Sequence, residues 1–598
     1  MTAVNTPPPV CSRPMRPAPR LLAVAALCLA AFAAQAAVVR EVEIRGLDEA
    51  MTRNVELSLS LVQALGRDVS GRRMAYLVRE AEEETREALQ PFGYYSPVIE
   101  VERNRETGVV VITVDPGAPV LVRESDIAMQ GEALEDEEVS DTLAAFEPDA
   151  GEIFDSILYD SSKALVARRL AERGYFGAEL LQHRVEVTRA EHAADIALSW
   201  ESGLRYAMGD ARFTQAPERI IRPQLLEKLV PWEPGEPYHQ AHIDRLRRSL
   251  TGLDYFSRIA IVPHPDQAVP GGEVPVDVTL EPAKRSVYTA GLSYGTDSGA
   301  GVRLGVERRY LNSRGHKALA QLDYAQKRKT LTLQYRIPAF AWLDGWYTAS
   351  LQAADEQTDF MDNRRVEFVA SRSGEVNEFL TVTASAHVLR ERWAYTGDIE
   401  NPGYRYGSFV FGQLRAEYID VDDRVEPHAG IGGSIDLRAA PSGSTSDAGF
   451  IQARARATWF KGIGLLDRLI VRGELGRTWT DAITELPPSL RFYAGGARSI
   501  RGYDYREVGP RIGDFGIGAK NVVTASVEYE HYFDERWGAA VFVDSGSAFN
   551  GDLPDWHTGV GVGLRWRSPV GPLRVDIARG LDDPRSPFAI YLNIGPEL

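Results

Sequence analysis

The chain has 598 residues, a net charge of −17 and 25% charged residues. So acidic a balance argues against nucleic acid, which asks for a basic footprint, and it names no partner by itself. The two cysteines, Cys11 and Cys28, both precede residue 36, so a chain without that segment has no disulfide framework.

Residues 1–36 read as an export signal. Arg13, Arg16 and Arg20 form a basic region, Leu21 to Phe32 an apolar one, and Ala34-Gln35-Ala36 a cleavage site. A lipoprotein reading at Cys28 is weaker, because Leu27 stands where a small residue is wanted. Cleavage after Ala36 removes three arginines and no acid, leaving −20. No later run reaches about 18 apolar residues, the length of a membrane helix, so a membrane role must use strands.

A repeat follows. Leu89-x-x-x-Gly93-Tyr94-Tyr95 recurs as Leu170-x-x-x-Gly174-Tyr175-Phe176 and as Leu250-x-x-x-Asp254-Tyr255-Phe256. Each copy follows a predicted helix: Arg72 to Leu89, Ser156 to Glu172, and Tyr238 to Leu250. Each precedes strand-like runs, such as Val98 to Arg103 with Val109 to Val114, or Ile259 to Val262 with Val274 to Leu280. Each also opens with a strand, such as Val38 to Ile44 or Ala207 to Phe213. Gly or Asp after a helix takes the left-handed conformation that other residues resist, and the next aromatic pair sends one ring into the core. Matching motif and spacing predict three duplicated α+β domains, 37–117, 118–203 and 204–283, jointed at Pro116-Gly117, Ser202-Gly203 and Pro282.

From Lys284 onward the period changes to two. Leu331, Leu333, Tyr335 and Ile337 alternate with Thr330, Thr332, Gln334 and Arg336. Val560, Val562, Leu564 and Trp566 alternate with Gly559, Gly561, Gly563 and Arg565, and Phe588, Ile590, Leu592 and Ile594 with Ala589, Tyr591, Asn593 and Gly595. Apolar outside and polar inside is the pattern of a transmembrane antiparallel β-barrel with a wet lumen. At about 20 residues per strand and connection, residues 284–598 hold about 16 strands. Trp342, Trp346, Trp393, Trp459, Trp479, Trp537, Trp556 and Trp566 are expected in interfacial girdles.

Ahead of the final strands comes Phe492-Tyr493-Ala494-Gly495-Gly496-Ala497-Arg498-Ser499-Ile500-Arg501-Gly502-Tyr503, then Phe542-Val543-Asp544-Ser545-Gly546, then Ser568-Pro569-Val570-Gly571-Pro572-Leu573-Arg574. This succession resembles the C-terminal barrel of the Omp85 superfamily. The three repeats resemble its periplasmic POTRA domains. Three repeats and this length are most similar to the TamA branch, as is the Gly595-Pro596-Glu597-Leu598 ending, although Leu598 stands where many barrels end in Phe. The resemblance implies a loop folded into the lumen with the tip Arg501, Gly502 and Tyr503 on the inner wall, where Glu528, Phe542, Asp544 and Gly546 would receive it. Arg501 is expected to pair with Asp544 and with Glu528. Parity agrees: Asp544 shares a face with Phe542, opposite Val541 and Val543, and Glu528 shares one with Ser526 and Glu530, opposite Val527 and Tyr529.

The resemblance also implies a lateral seam between the first and last strands, with Gly291, Ser293 and Gly295 on one side and Ile590, Leu592 and Ile594 on the other. Glycine weakens a strand, and Pro596 removes a ladder donor. The implied function is assembly of outer-membrane proteins such as autotransporters. Its partners would be a TamB-like protein anchored in the inner membrane, outer-membrane client proteins and outer-membrane lipid. A two-partner-type secretion pore, a BamA-like insertase and a passive receptor remain as alternatives. No cofactor, metal or nucleotide site is expected. Gly291-Leu292-Ser293-Tyr294-Gly295 matches G-x-S-x-G, but it lies inside an alternating strand and not at the strand-to-helix turn a nucleophile needs. His239 and His242 share a helix face without a third ligand, and no H-E-x-x-H occurs.

Overall fold

The computed structural model describes residues 37–594 except 296–298, 341–344, 359–360, 396–402, 465, 513–514, 569–570 and 583–587. The export signal with both cysteines, Trp342, and Gly595 to Leu598 lie outside the described residues.

The first repeat folds as a three-stranded sheet under helices. Its opening strand Glu41–Arg45 runs parallel to Val109–Asp115, which pairs antiparallel with Val98–Arg103 on its other edge. Ser70 caps the long helix Gly71–Leu89 by accepting from the Arg73 N–H. Met74, Leu77, Ala81 and Ala88 recur at helical spacing and bury one face against Val110, Ile112 and Val114. A second helix, Glu49–Ser58, also packs there through Met51 and Val55. The second repeat has the same arrangement: Leu121–Gln130 parallel to Ala193–Glu201, which pairs antiparallel with Glu179–Thr188, beneath helix Ser156–Glu172. The third has strands Ala207–Gln215, Phe256–Pro263 and Glu273–Pro282 and helix Gln240–Gly252.

The repeated turn residues are left-handed in every copy, with φ of 85° at Gly93, 88° at Gly174 and 56° at Asp254. Tyr94 packs against the first core, and Tyr175 and Tyr255 are buried in theirs. The same turns also act as joints. The Gly93 carbonyl accepts the Val120 N–H at 2.9 Å, and the Gly174 carbonyl accepts that of Tyr206 at 3.0 Å. A Cβ on Gly93 would stand 2.8 Å from the Ile153 Cγ2, and one on Gly174 would stand 2.6 Å from the Tyr238 Cβ. Each glycine therefore answers to two demands, a left-handed φ and close approach to the following segment. Asp254 has a different neighbour. Its carboxylate accepts from the Arg309 Nε at 2.7 Å, and the Tyr255 hydroxyl donates to the Gly315 carbonyl. Burial pushes the Tyr255 phenol above its ordinary range.

Sixteen antiparallel strands then form one sheet, each paired with its sequence neighbours. They are β1 Ser286–Gly295, β2 Gly299–Arg308, β3 Lys317–Ala325, β4 Arg328–Pro338, β5 Gly345–Gln357, β6 Met361–Glu375, β7 Leu380–Tyr395 and β8 Arg405–Val421. The second half is β9 Gly430–Ala440, β10 Phe450–Ile463, β11 Asp467–Trp479, β12 Asn521–Tyr532, β13 Trp537–Phe549, β14 His557–Ser568, β15 Gly571–Gly580 and β16 Ala589–Ile594. Among the described residues no α-helix follows Gly252, and no helix is long and apolar enough to cross a membrane. The Asp254 and Tyr255 contacts fall on the turn between β2 and β3.

The alternation places Leu331, Leu333, Tyr335, Ile337, Val562 and Leu564 outward and Arg565 inward. The tryptophans divide. Trp459, Trp479, Trp537 and Trp566 face outward, the last two stacked at 5.2 Å. Trp556 is exposed in the connection after β13. Trp393 and Trp346 depart from the girdle expectation. Trp393 shares the inward parity of Leu389 and Glu391 and is 1% exposed, and Trp346 packs against Arg336 on the inner face.

Replacing Gly174 with Val should strain the left-handed turn and push against Tyr238, at a cost of about 1–3 kcal/mol for the backbone alone. The expected result is faster limited proteolysis around residues 174–206, with the barrel's shift in gel migration on boiling unchanged.

Candidate functional site

Residues 480–512 and 515–520, between β11 and β12, turn back into the barrel. Arg491 staples this loop to itself, donating to the carbonyls of Leu486, Thr484 and Ile517 at 2.7, 3.0 and 2.9 Å. Its base lies on β7–β10. Leu486 and Leu490 pack with Leu389, Phe409, Phe411 and Phe450, and Ser489 donates to Glu391 through both its N–H and its hydroxyl. The lumen is therefore not wet throughout. A patch of its wall is apolar because it forms a core with the inserted loop.

The tip crosses to β12–β16. Arg501 is 2% exposed, and all five of its N–H donors are engaged. Its Nε and Nη2 hold Asp544 as a fork at 2.7 and 2.9 Å, and its Nη1 reaches Glu528 at 2.8 Å and Asp576 at 3.0 Å. Nη2 also meets Ser526 at 3.4 Å, and the guanidinium lies 3.3 Å from the centre of the Phe542 ring. The Arg501 N–H donates to Asp544 as well, at 3.0 Å.

The ion pairs continue beyond the tip. Arg565 bonds Glu528, Glu530 and Asp576, Arg468 bonds Glu530, and Arg472 bonds Glu528 at 2.9 Å. The cluster contains four arginines and four carboxylates. Burial makes this balance decisive, since an unpaired charge here is costly.

Of the residues expected on the inner wall, Glu528, Phe542 and Asp544 surround Arg501. Gly546 is on the same inner face and contributes room: a Cβ there would stand 2.3 Å from the Val523 carbonyl oxygen. Gly502 has φ 98°, and its Cβ would stand 2.5 Å from the Arg579 carbonyl carbon. The Tyr503 hydroxyl donates to Asp582 at 2.8 Å. The alternating glycines of β14 are fitted to this tip. A Cβ on Gly559 would meet the Arg501 carbonyl oxygen, one on Gly561 the Phe542 ring, and one on Gly563 Asp576 and Arg565. The sequence reading missed Arg565, Asp576, Arg468, Arg472 and Tyr591. Parity could have found Asp576, which lies between Val575 and Ile577, but not which carboxylate meets which arginine.

The seam residues lie as follows. Gly291, Ser293 and Gly295 are in β1, and Ile590, Leu592 and Ile594 are in β16. Tyr288 and Leu292 face outward, Leu292 at 89% exposed, as does Ile590 at 61%. The two strands lie alongside one another, but no ladder joins them among the described residues. No cluster of potential metal ligands occurs among the described residues.

Comparison with known proteins agrees with this geometry. A family model described as the Omp85 superfamily domain matches residues 311–597, and one described as POTRA domain TamA domain 1 matches 41–116. The outer membrane protein assembly factor BamA of Nitratidesulfovibrio vulgaris is 23% identical over 437 residues, covering 70% of this chain and 54% of that protein. The chain thus spans about half the length of that relative. The crystal structure of Haemophilus ducreyi BamA lacking POTRA domains 1–3 superposes with a TM-score of 0.62 at 16% identity, covering 80% of this chain and 99% of that one, a likeness of fold.

From sequence, the Arg501–Asp544 pair is expected to be partly solvated and worth about 1–3 kcal/mol. The observed burial raises this. Arg501→Ala leaves Asp544, Glu528 and Asp576 facing one another with a cation missing, at a cost of about 3–5 kcal/mol. Arg501→Lys should recover little, because an ammonium cannot make the fork. Thermal unfolding of the purified protein in detergent reads both. Wild-type stability in Arg501→Ala would show that the cluster does not need the loop.

Proposed function

From a chain that carries an Omp85 superfamily domain behind a POTRA domain of the TamA type, we propose an outer-membrane assembly factor that inserts or translocates outer-membrane proteins such as autotransporters. The barrel lies in the outer membrane, with the N-terminal domains in the periplasm. The observation that carries the reading is the seam. Among the described residues β1 and β16 run side by side and no ladder joins them, so the seam is where the two ends of the sheet meet. A client strand is recognised there by β-augmentation, through main-chain hydrogen bonds that are indifferent to its sequence.

Nothing in this mechanism calls for covalent chemistry. The client's own strand pairing and burial in lipid drive the step. The inserted loop, held by Arg501, closes the lumen and favours the lateral route over passage through the middle. The clients are outer-membrane proteins, and outer-membrane lipid receives them. The first repeat, farthest in sequence from the barrel, docks a TamB-like protein anchored in the inner membrane. The three repeats occupy 37–117, 118–203 and 204–283, with the barrel from 284.

Two experiments test this. The mature chain has no cysteine, so pairs introduced one in Val287–Leu292 and one in Ala589–Asn593 would be the only thiols. A pair that forms a disulfide has its Cα atoms within roughly 7 Å. Locking the seam should stop client assembly, and a reductant should restore it. Assembly at the unlocked rate would favour the secretion pore instead. Deleting residues 37–117 should abolish co-purification with the inner-membrane partner while the barrel still folds. Binding that survives this deletion and fails on deleting 204–283 would reverse the assigned polarity.

A further inference from the structure

The inner face of β6 and β7 carries a side-chain constellation that the ion-pair cluster around Arg501 does not use. Ser385 and His387 are two residues apart on β7, so both point into the lumen. Glu367 points there from β6. The Ser385 Oγ stands 2.9 Å from the His387 Nε2, and the His387 Nδ1 stands 2.8 Å from the Glu367 Oε1. A carboxylate only accepts hydrogen bonds, so Nδ1 carries a proton, and the neutral ring leaves Nε2 bare to accept from the serine. The ring is fixed by its face as well, stacked on Phe411 of β8 at 4.5 Å and 9°. Nucleophile, base and orienting carboxylate thus stand in the order of a Ser-His-acid triad, supplied by two adjacent strands.

Solvent reaches the site. The side chains of His387 and Glu367 are 12% and 19% exposed, and Ser385 is half-buried. β7 starts at the periplasmic end, so Ser385 precedes His387 on the way in. The loop base lies beyond, where Leu486 and Leu490 pack on Leu389 and Phe411. That base fills the apolar patch beside the ring and leaves room for a short acyl group only. Positive charge is on the same wall. Gln413 is opposite Ser385 on β8, Arg438 is opposite Gln413 on β9, and the Arg438 Nε donates to the Gln413 Oε1 at 3.0 Å. A fixed guanidinium suits the oxyanion of a tetrahedral intermediate.

We propose that Ser385, His387 and Glu367 form a second, hydrolytic site, which cleaves short-chain carboxylic esters entering the lumen from the periplasm. Nε2 takes the hydroxyl proton as Oγ attacks the ester carbonyl carbon. The intermediate collapses, the bond to the alcohol oxygen breaks, and the alcohol leaves with that proton. Water then attacks the acyl-serine and gives its proton to Nε2, which returns it to Oγ as the carboxylic acid departs. Ser385 and His387 are the catalytic residues, and Glu367 is a positioning residue that holds the ring and its tautomer. The assembly role uses the seam and the loop tip and needs none of this.

The competing account is that these hydrogen bonds merely satisfy polar groups on a wet wall. A fluorophosphonate probe separates the two, because it stays only where Oγ attacks phosphorus, forming an O–P bond and expelling fluoride. It is applied to the full-length protein in detergent, and the label is mapped by mass spectrometry. Ser385 should carry it. Ser371, the inward serine opposite Ser385 on β6, should not. Ser385→Ala should abolish labelling and the hydrolysis of p-nitrophenyl butyrate. His387→Gln and Glu367→Gln should slow both about a hundredfold or more. Glu367→Asp should restore part of the rate, which a purely structural role would not predict. Variants are compared only if they keep the shift in gel migration on boiling. A wild-type protein without label on Ser385 overturns the proposal whether or not any variant folds. So does equal labelling in His387→Gln, or label shared between Ser371 and Ser385. No client is present, so this site can fail while the assembly reading stands, and the reverse.

Discussion

The structure depends on a charge requirement inside the barrel wall. β12, β13 and β15 bring Glu528, Glu530, Asp544 and Asp576 into a buried space where Arg468, Arg472 and Arg565 are the wall's own cations. Arg501 is the fourth cation, and it arrives from the loop. Taking carboxylates out of water is costly unless each is paired and hydrogen-bonded. The wall is thus incomplete until the loop enters, and the loop's place follows from that need. A guanidinium suits the task because its planar fork holds Asp544 with two bonds and still has donors for Glu528, Asp576 and Ser526.

Small residues make this possible. The glycine face of β14 lets the tip and the charged side chains come within contact of the backbone, and Gly502 does the same from the loop side. Such a face gives up strand propensity. The ion pairs and the tip's hydrogen bonds offset that loss. The last strands are therefore held from within the lumen as well as by their ladders to neighbouring strands.

The repeats apply close approach at another scale. The turn after each long helix is left-handed and meets the segment that follows it. Where that segment is the strand opening the next repeat, the residue is glycine. Where it is the Arg309–His316 turn of the barrel, the residue is Asp254, which tolerates the left-handed conformation and adds a carboxylate for Arg309. That pair is half solvated, so it orients more than it stabilises.

Sequence by itself determined the fold class. A period of two is a local property, so outward Leu331, Leu333 and Val562 and inward Asp544 and Glu528 were legible without coordinates. The repeat was legible because its spacing and its Gly-aromatic turn are local too, and the long helices were legible because each ends at that turn. What parity cannot say is which inward residues share a height in the barrel. Strand tilt and register decide that, and they bring Arg565 and Asp576 to Arg501 and Tyr591 to Gly502 from positions 75 to 89 residues apart for the loop contacts. The apolar patch of Phe409, Phe411 and Phe450 turned out to belong to the loop's core, because an inserted segment makes its own interior within a lumen that composition marks as polar. That β1 and β16 come to lie side by side was likewise decided only in three dimensions, since the meeting of the two ends of a sheet is set by the twist and tilt of the whole sheet and not by either strand alone.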